Sequence, residues 1–157
     1  MKKIAIILLL CAMLSGCAAV PTFETLGDIM HEQAGANTPA QICLTLPEDA
    51  ESVGDAYFCN GFYVELKTVD AGDMNKTVQA MSGFSADDLT VMTASVNGID
   101  RYEWVWSAAS AEGEVVCRSA VLDDGNYHYC LTAVAPAQQG GALTDAWNAL
   151  FSSFSIA

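Results

Sequence analysis

The amino-acid sequence predicts an α+β fold, an antiparallel β-sheet of about six strands flanked by helices. Turn signals recur about every ten residues in the second half of the chain, which is typical of an antiparallel meander. The clearest are Asn97-Gly98 and Asp124-Gly125. Segments with apolar residues at helical spacing lie between and after the strands. Strands in runs, with helices between and after them, define the α+β class.

Two strand segments precede the meander. Gln41–Leu46 is largely apolar and ends at Pro47. Tyr57–Val69 alternates apolar and polar residues in its second half, and Asn60-Gly61 predicts a break or a bulge within it. The acidic stretch between these strands, Glu48–Asp55, is predicted to be a loop.

A helix is predicted after the second strand segment. Asp73 is a suitable N-cap, and Gly83 is suited to end the helix. The apolar face of this helix carries Met74, Thr77, Val78 and Met81. Directly after it, Ser85-Ala86-Asp87-Asp88 has the S-x-x-D pattern of a capping box.

The meander and a last helix complete the predicted domain. The four meander strands are Leu89–Val96, Ile99–Ala108, Glu114–Leu122 and Tyr127–Val134. A loop that contains Pro136 and Gly140-Gly141 leads into the last helix, since Pro and Gly favour turns. The buried stripe of this helix consists of Leu143, Ala146, Trp147, Leu150 and Phe151. Ser152–Ile156 is predicted to be a short terminal strand.

The start of the chain has the layout of a bacterial export signal. Lys2 and Lys3 precede an apolar run of about ten residues, which is about half the length that a membrane-spanning helix needs. Leu14-Ser15-Gly16-Cys17 then resembles the lipobox of bacterial lipoproteins. The resemblance implies cleavage after Gly16 and attachment of lipid, palmitate included, to Cys17. The chain is therefore predicted to be extracytoplasmic and lipid-anchored to a bacterial membrane.

These signals divide the chain into three parts. Residues 1–16 are the predicted signal peptide, and residues 17–40 provide the lipid attachment, a tether and a short helix. The apolar face of that helix carries Phe23, Leu26, Ile29 and Met30. Residues 41–157 form the predicted α+β domain.

The mature chain is strongly acidic. The full sequence has 6 Lys and Arg residues against 19 Asp and Glu residues and a net charge of −13, which becomes −15 once Lys2 and Lys3 leave with the signal. Nucleic-acid binding depends on Lys and Arg contacts to phosphate. The composition therefore excludes nucleic acid as a partner, and membrane attachment depends on the lipid at Cys17.

Four of the six cysteines remain in the exported domain, at positions 43, 59, 117 and 130. An even number of cysteines outside the cytoplasm predicts two disulfides, with three possible connectivities. The alternative, a zinc site, needs closely spaced pairs of cysteines, which this sequence lacks.

Hairpin geometry selects one connectivity. With the turn centred on Asp124-Gly125, Cys117 and Cys130 lie opposite each other or one diagonal step apart, within reach of a disulfide. Cys43 and Cys59 similarly flank the acidic loop between the first two strands. The predicted disulfides are Cys43–Cys59 and Cys117–Cys130, both with a structural role.

Catalytic motifs are absent from the sequence, so a non-enzymatic protein is predicted. His31-Glu32 begins an H-E-x-x-H pattern, but Gly35 occupies the place of the second histidine. No G-x-S-x-G, P-loop or G-x-G-x-x-G motif is present. His128 lies between Tyr127 and Tyr129 and is predicted to be a sheet-face histidine with a hydrogen-bond partner.

Carboxylates are abundant, but their spacing favours turns over metal binding. Calcium needs six to eight converging oxygens, and Asp123-Asp124-Gly125-Asn126 is better explained as a hairpin turn. The four acids of Glu48–Asp55 are the basis of an alternative, a small-ligand or calcium-binding lipoprotein. No cofactor and no metal site are predicted.

Tyr102, Trp104 and Trp106 alternate along one strand and therefore share a face of the sheet. The first interpretation is that they belong to the core, together with Tyr127, Tyr129 and Leu131, beneath the helix that carries Trp147. The alternative is an exposed aromatic platform that binds a peptide, a glycan or a partner protein.

The chain from about Ile42 onwards resembles the PsbP-like superfamily, which includes DcrB-like lipoproteins, in the order of its elements. The resemblance rests on Asp124-Gly125-Asn126-Tyr127-His128-Tyr129, on Ala135-Pro136, and on a Trp-bearing helix that ends in Phe151-Ser152-Ser153-Phe154. It implies an α-β-α sandwich around an antiparallel sheet. It also implies a non-enzymatic binding or accessory protein of an envelope assembly, with an envelope protein as its partner.

Overall fold

A seven-stranded antiparallel sheet forms the centre of the computed structural model, which describes residues 38–157. The spatial order of its strands is β2-β3-β4-β8-β7-β6-β5, and β1 and β9 form a separate two-stranded sheet. The strands are β1 Ile42–Cys43, β2 Glu51–Val53, β3 Ala56–Cys59, β4 Phe62–Asp70, β5 Met92–Val96, β6 Ile99–Ser110, β7 Gly113–Asp123, β8 Tyr127–Pro136 and β9 Ser155–Ile156.

Two α-helices cover the two faces of this sheet, α1 (Met74–Ser82) and α2 (Thr144–Ser153). On the α1 face, Val78 and Met81 pack with buried residues of β6, β7 and β8. On the opposite face, α2 packs against a second set of buried apolar residues. Along the strands, this second set alternates with the residues that face α1. The predicted α-β-α sandwich around an antiparallel sheet is therefore confirmed.

The ends of α1 are those that the sequence predicts. The carboxylate of Asp73 accepts a hydrogen bond from the backbone N–H of Asn75 at 3.0 Å, which satisfies one of the unpaired donors of the first turn. Gly83 ends the helix in the left-handed conformation and donates its N–H to the carbonyl of Gln79. The following capping residue, Ser85, starts a single 3-10 turn at Ala86–Asp88 rather than an α-helix.

Several strand predictions need correction. Of the two alternatives at Asn60-Gly61, the break is confirmed and the bulge is wrong, since both residues have positive φ angles and form a hairpin turn between β3 and β4. The predicted Glu48–Asp55 loop contains the edge strand β2, which raises the main sheet to seven strands. The predicted Gln41–Leu46 strand is reduced to β1, which pairs with β9 outside the main sheet.

The predicted disulfides are not present, and Cys43, Cys59, Cys117 and Cys130 are free thiols in the structure. Cys117 is paired with Val134, four residues from Cys130 along β8, which is an offset of about 13 Å. Such a separation exceeds the reach of a disulfide. The pairing of β1 with β9 likewise removes Cys43 from the strand next to β3, which carries Cys59.

The export signal, Cys17, His31 and the predicted helix with Phe23, Leu26, Ile29 and Met30 lie outside the described residues. Within residues 38–157, no helix is long and apolar enough to cross a bilayer.

Candidate functional site

The aromatic residues of β6 divide between the core and the surface. Tyr102, Trp104 and Trp106 share the α1 face, where Trp104 is completely buried and the other two are half-buried. The core interpretation is therefore right for Trp104, but the covering helix is α1, not the helix that carries Trp147.

Strand register explains why the two aromatic sets lie on opposite faces. Tyr102 pairs with Val121, whereas Tyr129 pairs with Leu122, the next residue along β7. Because successive side chains of a strand point to opposite faces, the half-buried Tyr102 and the buried Tyr129 lie on different sides of the sheet. The sheet thus buries aromatic residues on both faces.

A line of mainly apolar side chains crosses five strands on the α1 face, beside the buried cluster beneath α1. The register places Trp106 beside Cys117, Cys117 beside Val134, Val134 beside Tyr63, and Tyr63 beside Phe58. We call these five residues the cross-strand row. Cys117 is buried, Tyr63 is 48% exposed, and the other three are half-buried.

Aromatic contacts lie at both ends of the cross-strand row. The rings of Phe58 and Tyr63 are 5.0 Å apart, and Phe84, just after α1, lies 6.4 Å from Trp106 in an edge-on arrangement. Trp106 donates its indole N–H to the Ser119 hydroxyl at 3.2 Å, so the one polar group of its side chain has a hydrogen-bond partner within the protein. The row therefore presents apolar ring surface to solvent, with Phe84 itself 41% exposed.

The thiols of this face are buried and protonated. Burial, together with the charge of Glu65, raises the pKa of Cys117 to about 12. Burial also raises the pKa of Cys130 to about 12, although Lys67 acts in the opposite direction. Because the thiolate is the reactive form of cysteine, these two side chains do not act as nucleophiles at neutral pH. They contribute to the packing of the core.

His128 connects α1 to the sheet. Its Nδ1 lies 2.9 Å from the Thr77 hydroxyl of α1, and its Nε2 lies 3.4 Å from a carboxylate oxygen of Asp123. Carboxylate, imidazole and hydroxyl are the groups of a nucleophilic triad, but Thr77 and His128 are only 1% and 0% exposed. The predicted sheet-face histidine with a hydrogen-bond partner is confirmed.

Stability is expected to decrease as the pH falls below 6.5. Burial holds the pKa of His128 below its ordinary value of 6.5, and the Asp123 carboxylate offsets part of that effect. The unfolded chain therefore binds a proton that the folded chain excludes, so the stability at neutral pH is lost from pH 6.5 downwards, by at most about 1.4 kcal/mol per pH unit. Thermal unfolding between pH 5 and 8 measures this slope.

His128→Gln is the matched variant for this experiment, because it keeps a hydrogen-bonding side chain next to Thr77 but does not titrate. Its melting temperature should vary less between pH 6.5 and 5 than that of the parent. His31→Gln, outside the described residues, is the control. An unchanged slope in His128→Gln would assign the pH dependence to other groups.

A shallow cavity of about 310 Å³ lies on β5 and β6, lined by Thr93, Ala94, Ser95, Asp100 and Tyr102. Burial and the charges of Asp100 and Asp123 raise the pKa of Tyr102, so its phenol remains a hydrogen-bond donor at neutral pH. The cavity is bordered by the outer strand of the sheet and is open to solvent.

The acidic stretch Glu48–Asp55 does not gather its carboxylates at one point. β2 runs through its middle, and Asp49, Glu51 and Asp55 are exposed. Within residues 38–157, no three potential metal-ligating side chains of His, Cys, Asp or Glu lie together.

Sequence reasoning missed Phe58 and Tyr63 as neighbours of Trp106. They lie more than forty positions from it in the sequence and reach the same row only through four strand pairings. Alternation within Phe62–Leu66 indicates that Tyr63 faces away from Phe62, but no local pattern places it in line with Trp106.

The described residues thus form an α+β sandwich with a partly uncovered apolar row on one face. No family model matches the sequence, and no curated protein matches it. Among solved structures, the chain is similar to LpqN of Mycobacterium tuberculosis, described as involved in cell envelope biogenesis, with a TM-score of 0.54 and 12% identity over 83% of this chain and 96% of LpqN. This likeness shows a shared fold.

A second solved structure is CyanoP, the PsbP of the cyanobacterium Synechocystis sp. PCC 6803. Its TM-score is 0.49, with 8% identity over 80% of this chain and 98% of CyanoP.

Proposed function

We propose that the chain is a non-enzymatic, lipid-anchored extracytoplasmic protein that acts as a binding or accessory component of an envelope assembly. The observation that carries this proposal is the cross-strand row. Aromatic side chains are enriched in protein interfaces, and the row exposes 48% of Tyr63 and part of Trp106 on a chain with a net charge of −13. An apolar surface on such an acidic protein favours a protein partner.

Two further observations support the proposal. The export signal and the Leu14-Ser15-Gly16-Cys17 sequence favour a membrane-anchored location outside the cytoplasm. LpqN, which shares the fold, is described as involved in cell envelope biogenesis. The buried ionisable side chain His128 contacts α1 and is used to hold the structure together, which agrees with a non-enzymatic role.

Site-specific photo-crosslinking in bacterial cells tests the proposal. A photoreactive amino acid at Tyr63 of the full chain is expected to capture one defined envelope protein. The same amino acid at Ala149, exposed on α2 at the opposite face, should not capture it. Capture from Tyr63 should also be lost in Cys17→Ser, which lacks the lipid attachment residue.

Identical products from both positions, or none from Tyr63, would reject the cross-strand row as the partner surface. Capture that persists in Cys17→Ser would show that partner binding does not require the lipid anchor.

A further inference from the structure

We propose that the outer edge of β5 binds the β5 edge of a second copy of this chain, so that two seven-stranded sheets join into one across a two-fold axis. The main sheet ends at β2 on one side and at β5 on the other. Within residues 38–157, no strand pairs with the outer edge of β5. All five residues of β5 are exposed.

The composition of β5 favours self-association at this edge. Natural edge strands are commonly protected by charged residues, prolines or short length. β2, at the other edge, has three residues and includes Glu51. In contrast, β5 (MTASV) is longer and has neither charge nor proline. On a chain with a net charge of −13, charge repulsion is weakest where carboxylates are absent.

The hydrogen-bonding groups of β5 are oriented for this contact. Asn97 and Gly98 have φ angles of 55° and 80°, as in a two-residue type I′ turn, so the flanking Val96 and Ile99 form a hydrogen-bonded pair. Hydrogen-bonded and non-hydrogen-bonded pairs alternate along an antiparallel ladder. Thr93 and Ser95 therefore direct their backbone N–H and C=O groups towards the open edge.

The sequence of β5 is nearly symmetric about Ala94, and this symmetry selects one register. With Ala94 opposite Ala94 of the second copy, Thr93 and Ser95 of the two copies exchange four backbone hydrogen bonds. Met92 then lies opposite Val96 of the second copy, on the face where these side chains are 58% and 65% exposed. Apolar cross-strand pairs of this kind stabilise a sheet. The contact is self-complementary, as a two-fold interface requires.

A contact of five residues per copy is smaller than a standard stable interface, so the association should be weak and depend on concentration. Weak pairing is best detected by trapping. In the proposed register, the two Ala94 residues form a non-hydrogen-bonded pair with Cα atoms about 4.5 Å apart. This distance lies within the range for a disulfide. Ala94→Cys should therefore trap the pair of chains.

The experiment uses the full chain in detergent micelles, with Cys43→Ser to remove the exposed native thiol of the described residues. Mild oxidation should convert most Ala94→Cys chains into a disulfide-linked dimer. Val105→Cys is the matched control, because Val105 is 54% exposed on the same face but one strand away from the edge. The control should give at least about tenfold less dimer at equal concentration.

Ser95→Pro added to Ala94→Cys gives a second readout. It removes an N–H that faces the open edge and leaves the bonds between β5 and β6 in place. The yield of linked dimer should fall by about tenfold or more, since both copies lose the same hydrogen bond. If this variant fails to fold, the dimer yields of Ala94→Cys and Val105→Cys are sufficient to test the proposal.

Equal yields from Ala94→Cys and Val105→Cys, or no dimer from either, would overturn the proposal. A linked product with the mass of a different chain would also overturn it, because the edge would then serve another partner.

Discussion

Trp104→Ala is expected to lower the free energy of unfolding by about 3–5 kcal/mol, the range for removing a fully buried aromatic side chain. Trp104 is 0% exposed and packs in one cluster with Val78 and Met81 of α1 and with Val121 and Cys130 of the sheet. Its removal would leave a cavity between α1 and the sheet. A loss of this size is a large part of the total stability of a single domain.

Trp104→Phe is the matched variant. The indole N–H of Trp104 is buried without a hydrogen-bond partner among the described residues, so phenylalanine removes an unsatisfied donor while it keeps an aromatic ring. We expect a cost well below that of alanine. Urea denaturation of both variants measures the difference.

Tyr63→Ala provides the contrast, because Tyr63 belongs to the cross-strand row and is 48% exposed. Its effect on stability should stay within about 1 kcal/mol. If Trp104→Ala instead leaves stability unchanged and abolishes partner capture, the strand face is a binding platform through Trp104 itself, and the assignment of Trp104 to the core is wrong.

The aromatic residues of β6 illustrate what the sequence can predict. Alternation correctly shows that Tyr102, Trp104 and Trp106 share a face, since this depends on adjacent residues alone. Which helix covers that face depends on the register between β6, β7 and β8. A one-residue change in register exchanges the faces, so local patterns could not assign the covering helix.

The β7–β8 hairpin shows how a small difference in turn position matters. The carboxylate of Asp124 accepts hydrogen bonds from the backbone N–H groups of Asn126 and Tyr127, at 2.8 and 2.7 Å. These bonds place Gly125-Asn126 at the centre of the turn, one residue beyond the predicted centre. Shifting the centre by one residue shifts the cross-strand register by two, which separates Cys117 from Cys130.

The sequence pattern did not predict β2, for a different reason. Its sequence, Glu51-Ser52-Val53, lies in an acidic stretch with low strand propensity, and all three residues are exposed. It forms because the next strand, β3, offers an unpaired edge to it across a tight turn at Gly54-Asp55. Tertiary pairing thus outweighs the local preference of these residues.

Arg101→Met is expected to lower the free energy of unfolding by about 2–3 kcal/mol, because it removes several charge-assisted hydrogen bonds from a partly buried site. Arg101 donates to Glu103 at 2.6 Å, to the carbonyl of Phe154 at 3.0 Å and to the carbonyl of Phe151 at 2.6 Å. Its side chain is 23% exposed and that of Glu103 is 15% exposed.

The position of these acceptors gives the arginine a specific role. The last carbonyls of a helix have no partner within the helix and carry its partial negative charge. Arg101, on β6, donates hydrogen bonds to the carbonyls of Phe151 and Phe154 at the end of α2. These bonds attach the helix to the sheet. Methionine keeps the apolar stem of arginine but offers no donor, so the end of α2 should open more often.

Arg118→Met is the matched control. Arg118 donates to the second carboxylate oxygen of Glu103 at 2.8 Å and to the side-chain oxygen of the exposed Asn148 at 2.8 Å. Its guanidinium also lies 4.4 Å from the centre of the Phe151 ring, but among residues 38–157 it donates to no helix carbonyl. It should cost about 1 kcal/mol. Hydrogen exchange at residues 150–154 should accelerate more in Arg101→Met than in Arg118→Met, since only Arg101 donates to the backbone at the end of α2.

Equal losses in Arg101→Met and Arg118→Met, without faster exchange at the end of α2, would show that the charge of Glu103 dominates this site. In that case the contribution of Arg101 would be the neutralisation of a partly buried carboxylate, and Glu103→Gln should restore stability to either arginine variant. If capping of α2 dominates instead, Glu103→Gln should leave Arg101→Met unstable, because the carbonyls of Phe151 and Phe154 would still have lost the hydrogen bonds that Arg101 donates to them.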